Sequence, residues 1–151
     1  MNRGEPVTNI IKGKGDAEII VLGIQPGELL LESIVQAIEK HDIHDGIVLS
    51  GIGTLKTCNL HYINHVDFPP SDTTYHLEQP LELVNVSGII ANKEPHLHAV
   101  VSCKDAEVYG GHLEKGCEVA YLAEISILKT SFLHMKRHID EARKIKLIGP
   151  A

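Results

Sequence analysis

Three histidines within seventeen residues have the spacing of a metal site. His96 and His98 stand in Pro-His-Leu-His-Ala, and His112 stands in Tyr-Gly-Gly-His-Leu. Residues two apart in a strand leave the same face, so the first two imidazoles would lie together. If the chain folds back, Gly110 and Gly111 allow the close backbone approach that brings in the third ring. Three neutral imidazoles would then hold a metal with an open position for water or substrate.

A simpler explanation of the same spacing stays open. The chain has 10 histidines in 151 residues, so three of them could meet by coincidence on a strand surface or at a subunit interface. His61 and His65, four apart in a predicted strand, form a competing group with His76 nearby. We expect each of these three histidines to be exposed at the surface. Spacing alone does not decide between a metal site and coincidence.

Glu82 is the one candidate for an acid or base beside the histidines. It lies in a predicted strand that could neighbour the strand of His96. A carboxylate there could accept the second ring N–H of a ligand histidine or act on a bound water molecule. The alternative is an ordinary strand residue that faces outward. No Ser-His-Asp or Cys-His arrangement is visible, so catalysis remains an open question.

Composition indicates a single globular domain. Hydrophobic residues make up 43% of the 151 residues, charged residues 23%, and tryptophan is absent, so the core must be mainly aliphatic. A net charge of −6 argues against a surface that binds phosphates throughout. The C-terminal segment is locally basic, but Asp140 and Glu141 interrupt it, which favours a solvated face over a nucleic-acid site. Its basic residues are Lys136, Arg137, Arg143, Lys144 and Lys146.

The cysteines and the length of the apolar runs indicate the cellular compartment of the protein. Cys58, Cys103 and Cys117 are an odd number without close pairing, and nothing like a secretory signal precedes them. No apolar run approaches the roughly 18 residues that a membrane span requires. We therefore predict a cytoplasmic protein with reduced thiols and no membrane partner, and we assign none of the cysteines a nucleophilic role.

Hydrophobic periodicity predicts an α+β fold with a mainly antiparallel sheet and one main helix. A strand over 18–22 precedes a helix that starts at Pro26 and ends near His41. Further strands are predicted over 47–50, 55–64, 81–91, 97–103 and 119–128. Gly51 and Gly53 are interpreted as a bend or bulge. We divide the chain into an extended lead-in (1–15), one domain (16–130) and a C-terminal segment (131–151) that belongs to the same domain.

Five short motifs in order resemble one known family. They are Pro26-Gly27-Glu28, Gly51-Ile52-Gly53, the segment 81–88 (Leu-Glu-Leu-Val-Asn-Val-Ser-Gly), Pro95-His96-Leu97-His98 and Gly110-Gly111-His112-Leu113. This succession resembles the plants and prokaryotes conserved domain, or PPC domain, from about Glu18 to Leu128. The resemblance implies a compact fold with a largely antiparallel sheet, assembled as a homotrimer that shares sheet edges between subunits.

The resemblance also bears on function. Stand-alone prokaryotic members carry the two histidine motifs, which implies that His96, His98 and His112 are metal ligands, and zinc suits three imidazoles best. Plant members join the domain to AT-hook segments that bind DNA, but this chain has no Arg-Gly-Arg-Pro core, so DNA binding is disfavoured. We expect a metal-binding homotrimer, with zinc as the metal, whose reaction is unknown and whose substrate or ligand is a small polar molecule. The alternative is a DNA-binding or regulatory trimeric binding module without catalysis.

Overall fold

Alternating apolar and polar residues build eight strands and one helix in the part of the chain that the structure describes. The structure is a computed structural model that describes residues 8–151. Its elements are β1 (Ala17–Ile24), α1 (Leu30–Lys40), β2 (Asp45–Ile63), β3 (Asp72–Ala91), β4 (Glu94–Ser102), β5 (Val108–Leu113), β6 (Val119–Thr130), β7 (Met135–Asp140) and β8 (Ile145–Pro150).

Six strands form one antiparallel sheet in the order β1-β6-β2-β3-β4-β5. The end of β2 also pairs with β5, so the long strands β2 and β3 curl round and bring β5 back to β2. Strands β7 and β8 form a separate antiparallel hairpin. The predicted α+β class with a mainly antiparallel sheet and one main helix is confirmed.

The helix covers one face of the sheet. Its side chains Leu30, Ile34 and Ile38 are fully buried and join a core of aliphatic strand residues. Two cysteines, Cys58 and Cys117, are buried in the same core, where they pack as small apolar side chains. The opposite sheet face is open in the single chain and carries exposed apolar residues: Ile19, Val21, Leu49, Ile52, Val84 and Leu122.

The helix begins later than its sequence pattern predicts. Residues 25–28 form a turn in which Glu28 N–H donates to the Gln25 carbonyl at 3.2 Å, and Leu29 forms a bridge with Glu118. The turn and the bridge keep the backbone out of helical geometry until Leu30, so the predicted start at Pro26 is wrong. In the predicted lead-in, residues 8–15 lie outside any helix or strand, whereas residues 1–7 fall outside the described part.

The sheet is more extensive than the periodicity indicates. Strand β2 runs unbroken through Gly51 and Gly53, with register shifts against β6 on either side, so the bulge interpretation is correct. Strands β5, β7 and β8 were not among the predicted strands. The β7–β8 hairpin packs on the main sheet, where Met135 N–H donates to Asp45 Oδ1 at 3.1 Å.

Gly88 is required where β3 meets β4. A Cβ atom at this position would collide with the carbonyl oxygen of His96, and the backbone φ of +155° is one that other residues rarely adopt. Gly110, in β5, is less constrained, because a Cβ there would have its nearest contact at 3.4 Å, from the Ala99 carbonyl.

We expect Gly88→Ala to lower the free energy of unfolding by about 1–3 kcal/mol, because the methyl group must push two paired strands apart. Urea denaturation of both variants measures this, with Gly110→Ala as the matched control at a cost below about 1 kcal/mol. Equal losses in the two variants would contradict the close approach of β3 and β4 at His96.

Candidate metal centre

Strand pairing places four histidines on one patch of the sheet. His98 of β4 lies directly opposite His112 of β5, and His61 of β2 lies opposite His112 on its other side. Directly opposed residues in antiparallel strands have their side chains on the same face. His96 precedes His98 by two residues and shares that face. The imidazoles of His61, His96, His98 and His112 therefore form one group, which we call the histidine cluster.

A glycine lets β5 lie close enough to β2 for this arrangement. A Cβ atom on Gly111 would stand 2.5 Å from the carbonyl oxygen of His61, closer than real Cβ contacts come. Gly111 therefore meets the expected need for close approach, whereas Gly110 makes only ordinary contacts. The next residue along the chain is His112, so the same glycine fixes where that imidazole enters the cluster.

The rings of His96, His98 and His112 have the mutual spacing of a three-imidazole metal site. Their centroids are 5.4 Å (His96–His98), 5.1 Å (His96–His112) and 5.6 Å (His98–His112) apart. Three imidazoles bound to one tetrahedral zinc ion have ring centroids about 5 Å apart, given Zn–N bonds of about 2.0 Å. The ring planes are tilted against one another by 36° to 72°. The ring centroids thus agree with a shared ion, but the nitrogen donors of these three residues do not all lie within 4.8 Å of one another, as the donor atoms of His61, His112 and Glu114 do.

His61 has a different relation to the cluster. Its ring stacks on that of His112 with centroids 4.4 Å apart and an interplanar angle of 15°. Stacked rings direct their nitrogen lone pairs along nearly parallel lines, which suits two ligands of one ion poorly. His61 instead shares a hydrogen bond with a carboxylate: its Nδ1 lies 2.6 Å from Glu114 Oε1.

Glu114 also stands beside His112. The same Oε1 atom lies 3.4 Å from His112 Nδ1, and this buried nitrogen has no hydrogen-bond partner within residues 8–151. Donor atoms of His61, His112 and Glu114 all lie within 4.8 Å of one another. This trio is a second possible donor set, and it shares His112 with the first.

Burial keeps two of the imidazoles neutral. Desolvation lowers the pKa of His96, helped by the neighbouring His112 and by the positive charge of Arg137. Desolvation also lowers the pKa of His112, helped by His61 beside it and opposed by Glu114. A metal binds the neutral form of imidazole, so the cluster need not lose protons at neutral pH before an ion enters.

Glu82 lies away from the histidine cluster of its own chain. It pairs with Ser102, four residues beyond His98 along β4, and four strand residues span about 13 Å. The expectation that β3 neighbours the strand of His96 is correct, but the position along the strand does not bring this carboxylate to the rings. Glu114 is the carboxylate at the cluster instead. It follows His112 by two residues, a same-face spacing that the sequence displays.

The competing group of His61, His65 and His76 does not stay together in the structure. His61 was expected at the surface but belongs to the cluster, with a side chain only 25% exposed. His65 remains outside it, 2.9 Å from the hydroxyl of Ser71, and His76 lies 2.5 Å from Asn59 Oδ1. His61 and His65 are separated because β2 ends at Ile63.

The basic C-terminal segment is largely neutralised by its own neighbours. Salt bridges join Arg143 to Asp140 at 2.6 Å, Lys144 to Glu141 at 2.7 Å and Lys146 to Glu94 at 2.5 Å. These pairs compensate three of the five basic side chains of the segment, whereas Lys136 and Arg137 form no salt bridge within residues 8–151.

Comparison with known proteins identifies the family. The model of the Plants and Prokaryotes Conserved (PCC) domain matches residues 12–131. The chain belongs to the PCC domain family. The resemblance of the five motifs to this family is confirmed, and the match ends before the β7–β8 hairpin.

Solved structures of PCC-like proteins share this fold. A metal-containing protein from Archaeoglobus fulgidus is 26% identical, with a TM-score of 0.79 over 93% of this chain and 98% of its own. A plant- and prokaryote-conserved protein from Pyrococcus horikoshii is 25% identical, with a TM-score of 0.74 over 93% and 96%. A Bacteroides thetaiotaomicron protein, provisionally named as DNA-binding, is 18% identical with a TM-score of 0.77, a likeness of fold alone.

Curated relatives are much longer than this chain. Two proteins named bifunctional protein GlmU, from two Synechococcus strains, are each 27% identical over 128 residues. The match covers 85% of this chain but only 20% and 19% of those relatives, so the chain spans about a fifth of their length. Within residues 8–151, no helix has the length and apolar character needed to cross a membrane.

Proposed function

We propose that this PCC-domain protein binds one divalent metal ion, zinc by preference, through His96, His98 and His112. The observation that carries the proposal is the meeting of three tilted imidazole rings, from two paired strands, with centroids 5.1 to 5.6 Å apart. The metal-containing relative from Archaeoglobus fulgidus supports it. A bound zinc ion with a fourth, open position would supply a Lewis acid and a water molecule of lowered pKa. We assign metal binding and no reaction.

The donor set favours zinc among the common divalent metals. Imidazole nitrogens suit zinc, copper, iron and nickel, whereas magnesium and calcium prefer oxygen ligands. Three imidazoles with no thiolate also differ from the closed, cysteine-rich sites in which zinc is purely structural. We assign His61 and Glu114 to their mutual hydrogen bond and not to the ion, which leaves a fourth position open for a small polar molecule.

Glu114 would orient His112 rather than bind the ion. A ligand histidine in metal sites commonly donates its second ring N–H to a carboxylate, which fixes the ring and raises its basicity. Glu114 Oε1, 3.4 Å from the unpartnered His112 Nδ1, is in reach of that role after a small adjustment. Its contact with His61 Nδ1 at 2.6 Å holds the carboxylate in place.

Single histidine variants test which residues hold the ion. We expect about one zinc per chain in untagged wild-type protein loaded with zinc and then dialysed, and a loss of that zinc in His98→Ala, measured by elemental mass spectrometry. His61→Ala should keep its zinc, because His61 acts only through Glu114. His76→Ala, an exposed histidine outside the cluster, is the control. Zinc retained in His98→Ala but lost in His61→Ala would assign the ion to the trio of His61, His112 and Glu114 instead.

Removing the charge of Glu114 should weaken binding without abolishing it. We expect Glu114→Gln to lower zinc affinity by about 10- to 100-fold, because His112 loses the carboxylate that orients its ring. Competition with a chromogenic chelator measures the affinity. Glu82→Gln is the matched control, and because Glu82 lies away from the cluster, its affinity should equal that of the wild type. An unchanged affinity in Glu114→Gln would remove the carboxylate from the site.

We also propose that three copies of the chain assemble, as the family resemblance implies. The open face of the sheet supports this assembly, because apolar residues from β1, β2, β3 and β6 lie exposed on it, including Val21 at 68% and Ile52 at 50%. Contiguous exposed apolar surface of this kind marks protein interfaces.

A charge placed on that face should disrupt the assembly. Light scattering of the wild type should give three times the 16.6 kDa mass of one chain, whereas Val21→Glu should give a smaller mass, because burying an unpaired carboxylate is costly. Val66→Glu, at an 84% exposed position in the loop between β2 and β3, is the control and should remain trimeric. A monomeric wild type would refute the proposal.

A further inference from the structure

A pocket of about 370 Å³ opens between the histidine cluster and the β7–β8 hairpin. His96 and His98 form its wall on the sheet side, and Arg137 and Lys146 form its wall on the hairpin side. Ile89 and Leu147 are among the apolar residues that complete the lining. Pockets of this size hold small molecules, and a few polar groups in an apolar lining fix the orientation of the ligand.

The Arg137 guanidinium is fixed in this wall without a carboxylate partner. Its Nη1 donates to the Glu94 carbonyl at 2.7 Å and its Nη2 to the Ile89 carbonyl at 3.0 Å. A guanidinium has five N–H donors, so these two bonds anchor the group and leave three donors. Within residues 8–151, no carboxylate oxygen lies within 4 Å of this guanidinium, since the nearby Glu94 carboxylate pairs with Lys146 at 2.5 Å.

Among residues 8–151, the positive charge of Arg137 therefore has no anionic partner of its own. Arg137 is half-buried, and this burial lowers the pKa of its guanidinium. The ordinary pKa of arginine is so high that the group still stays charged at neutral pH. Lys146 and Glu94 compensate each other, so one positive charge remains beside His96 and His98. A metal ion bound to the histidines would add to this positive charge. A buried charge is stabilised by a paired, hydrogen-bonded partner, and planar carboxylates and phosphates match the guanidinium fork.

We propose that this pocket binds a small organic anion, with a carboxylate or phosphate group on Arg137 and Lys146 and the rest of the molecule directed to the metal at the histidine cluster. The contact with the metal rests on the proposed function, whereas the contact with Arg137 does not. The hairpin that supplies both cations begins at Met135, beyond the family match at residues 12–131. The cations of the anion subsite therefore come from a segment outside the family match, and the subsite defines the class of substrate or ligand that the metal centre receives.

Binding of three simple probes tests the charge requirement. Titration calorimetry would use malonate, inorganic phosphate and malonamide, the uncharged diamide of malonate, on zinc-loaded protein of verified metal content and on metal-free protein. We expect malonate or phosphate to bind and malonamide not to bind. The stronger of the two anions identifies the head group as carboxylate or phosphate. Binding should be tighter in the zinc-loaded protein than in the metal-free protein.

Hairpin variants test the residues. Arg137→Met should weaken anion binding at least tenfold, and Lys146→Met should weaken it severalfold. Lys136→Met removes one positive charge from the neighbouring, exposed position of β7 and should leave binding unchanged. Because Arg137 also ties the hairpin to the sheet, thermal unfolding of each variant is measured in parallel. Lys146 also joins the hairpin to the sheet, through its salt bridge with Glu94 at 2.5 Å, so the anion affinity of each variant is compared only where its thermal unfolding matches that of the wild type.

The outcomes separate this inference from the proposed metal site. Zinc-loaded protein that binds neither malonate nor phosphate would overturn the anion pocket and leave the metal site standing. Equal affinities in the wild type and in a folded Arg137→Met variant would overturn it as well. If zinc itself fails to bind, the proposed function is lost. Anion binding by metal-free protein that depends on Arg137 would still support the pocket.

Discussion

The contact of β5 with its two neighbours is the constraint on which the candidate site depends. His112 is opposed by His98 on one side and by His61 on the other, so one short strand brings together rings that lie far apart along the chain. The contact is possible because Gly111 has no side chain to hold β5 away from the His61 carbonyl. On the next strand pair, Gly88 has the same role against the backbone of His96.

Burial and charge give the cluster its chemical character. Partial burial and mutual repulsion keep His96 and His112 neutral, and neutral imidazole is the form that binds a metal. Glu114 faces both His61 and His112, and Arg137, which forms no salt bridge within residues 8–151, adds a positive charge beside His96 and His98. The site thus combines nitrogen donors, one orienting carboxylate and one cation, an arrangement suited to a metal ion with an anionic ligand.

The sequence predicts the parts of this arrangement that depend on local spacing. The two-residue interval of His96 and His98 indicates a shared face, and the glycines before His112 indicate close backbone approach. The role of His61 depends instead on pairing with a position 53 residues away, which no local pattern reveals, whereas the two-residue interval between His112 and Glu114 does indicate a shared face. Glu82 lies in the strand next to that of His96, as predicted, but too far along it to reach the rings. That distance follows from strand register, which the sequence does not display. The β7–β8 hairpin escapes prediction because its many charged residues conceal the alternation of a strand.

The central claim is that one metal ion lies among His96, His98 and His112. Diffraction from zinc-loaded crystals at the zinc absorption edge tests it most directly, because anomalous scattering locates the ion independently of the protein model. The account predicts one anomalous peak with three imidazole nitrogens at about 2.0–2.1 Å, with Glu114 hydrogen-bonded to His112 and His61 outside the coordination sphere. A peak bound by His61 and Glu114, or no peak at the cluster, would contradict it.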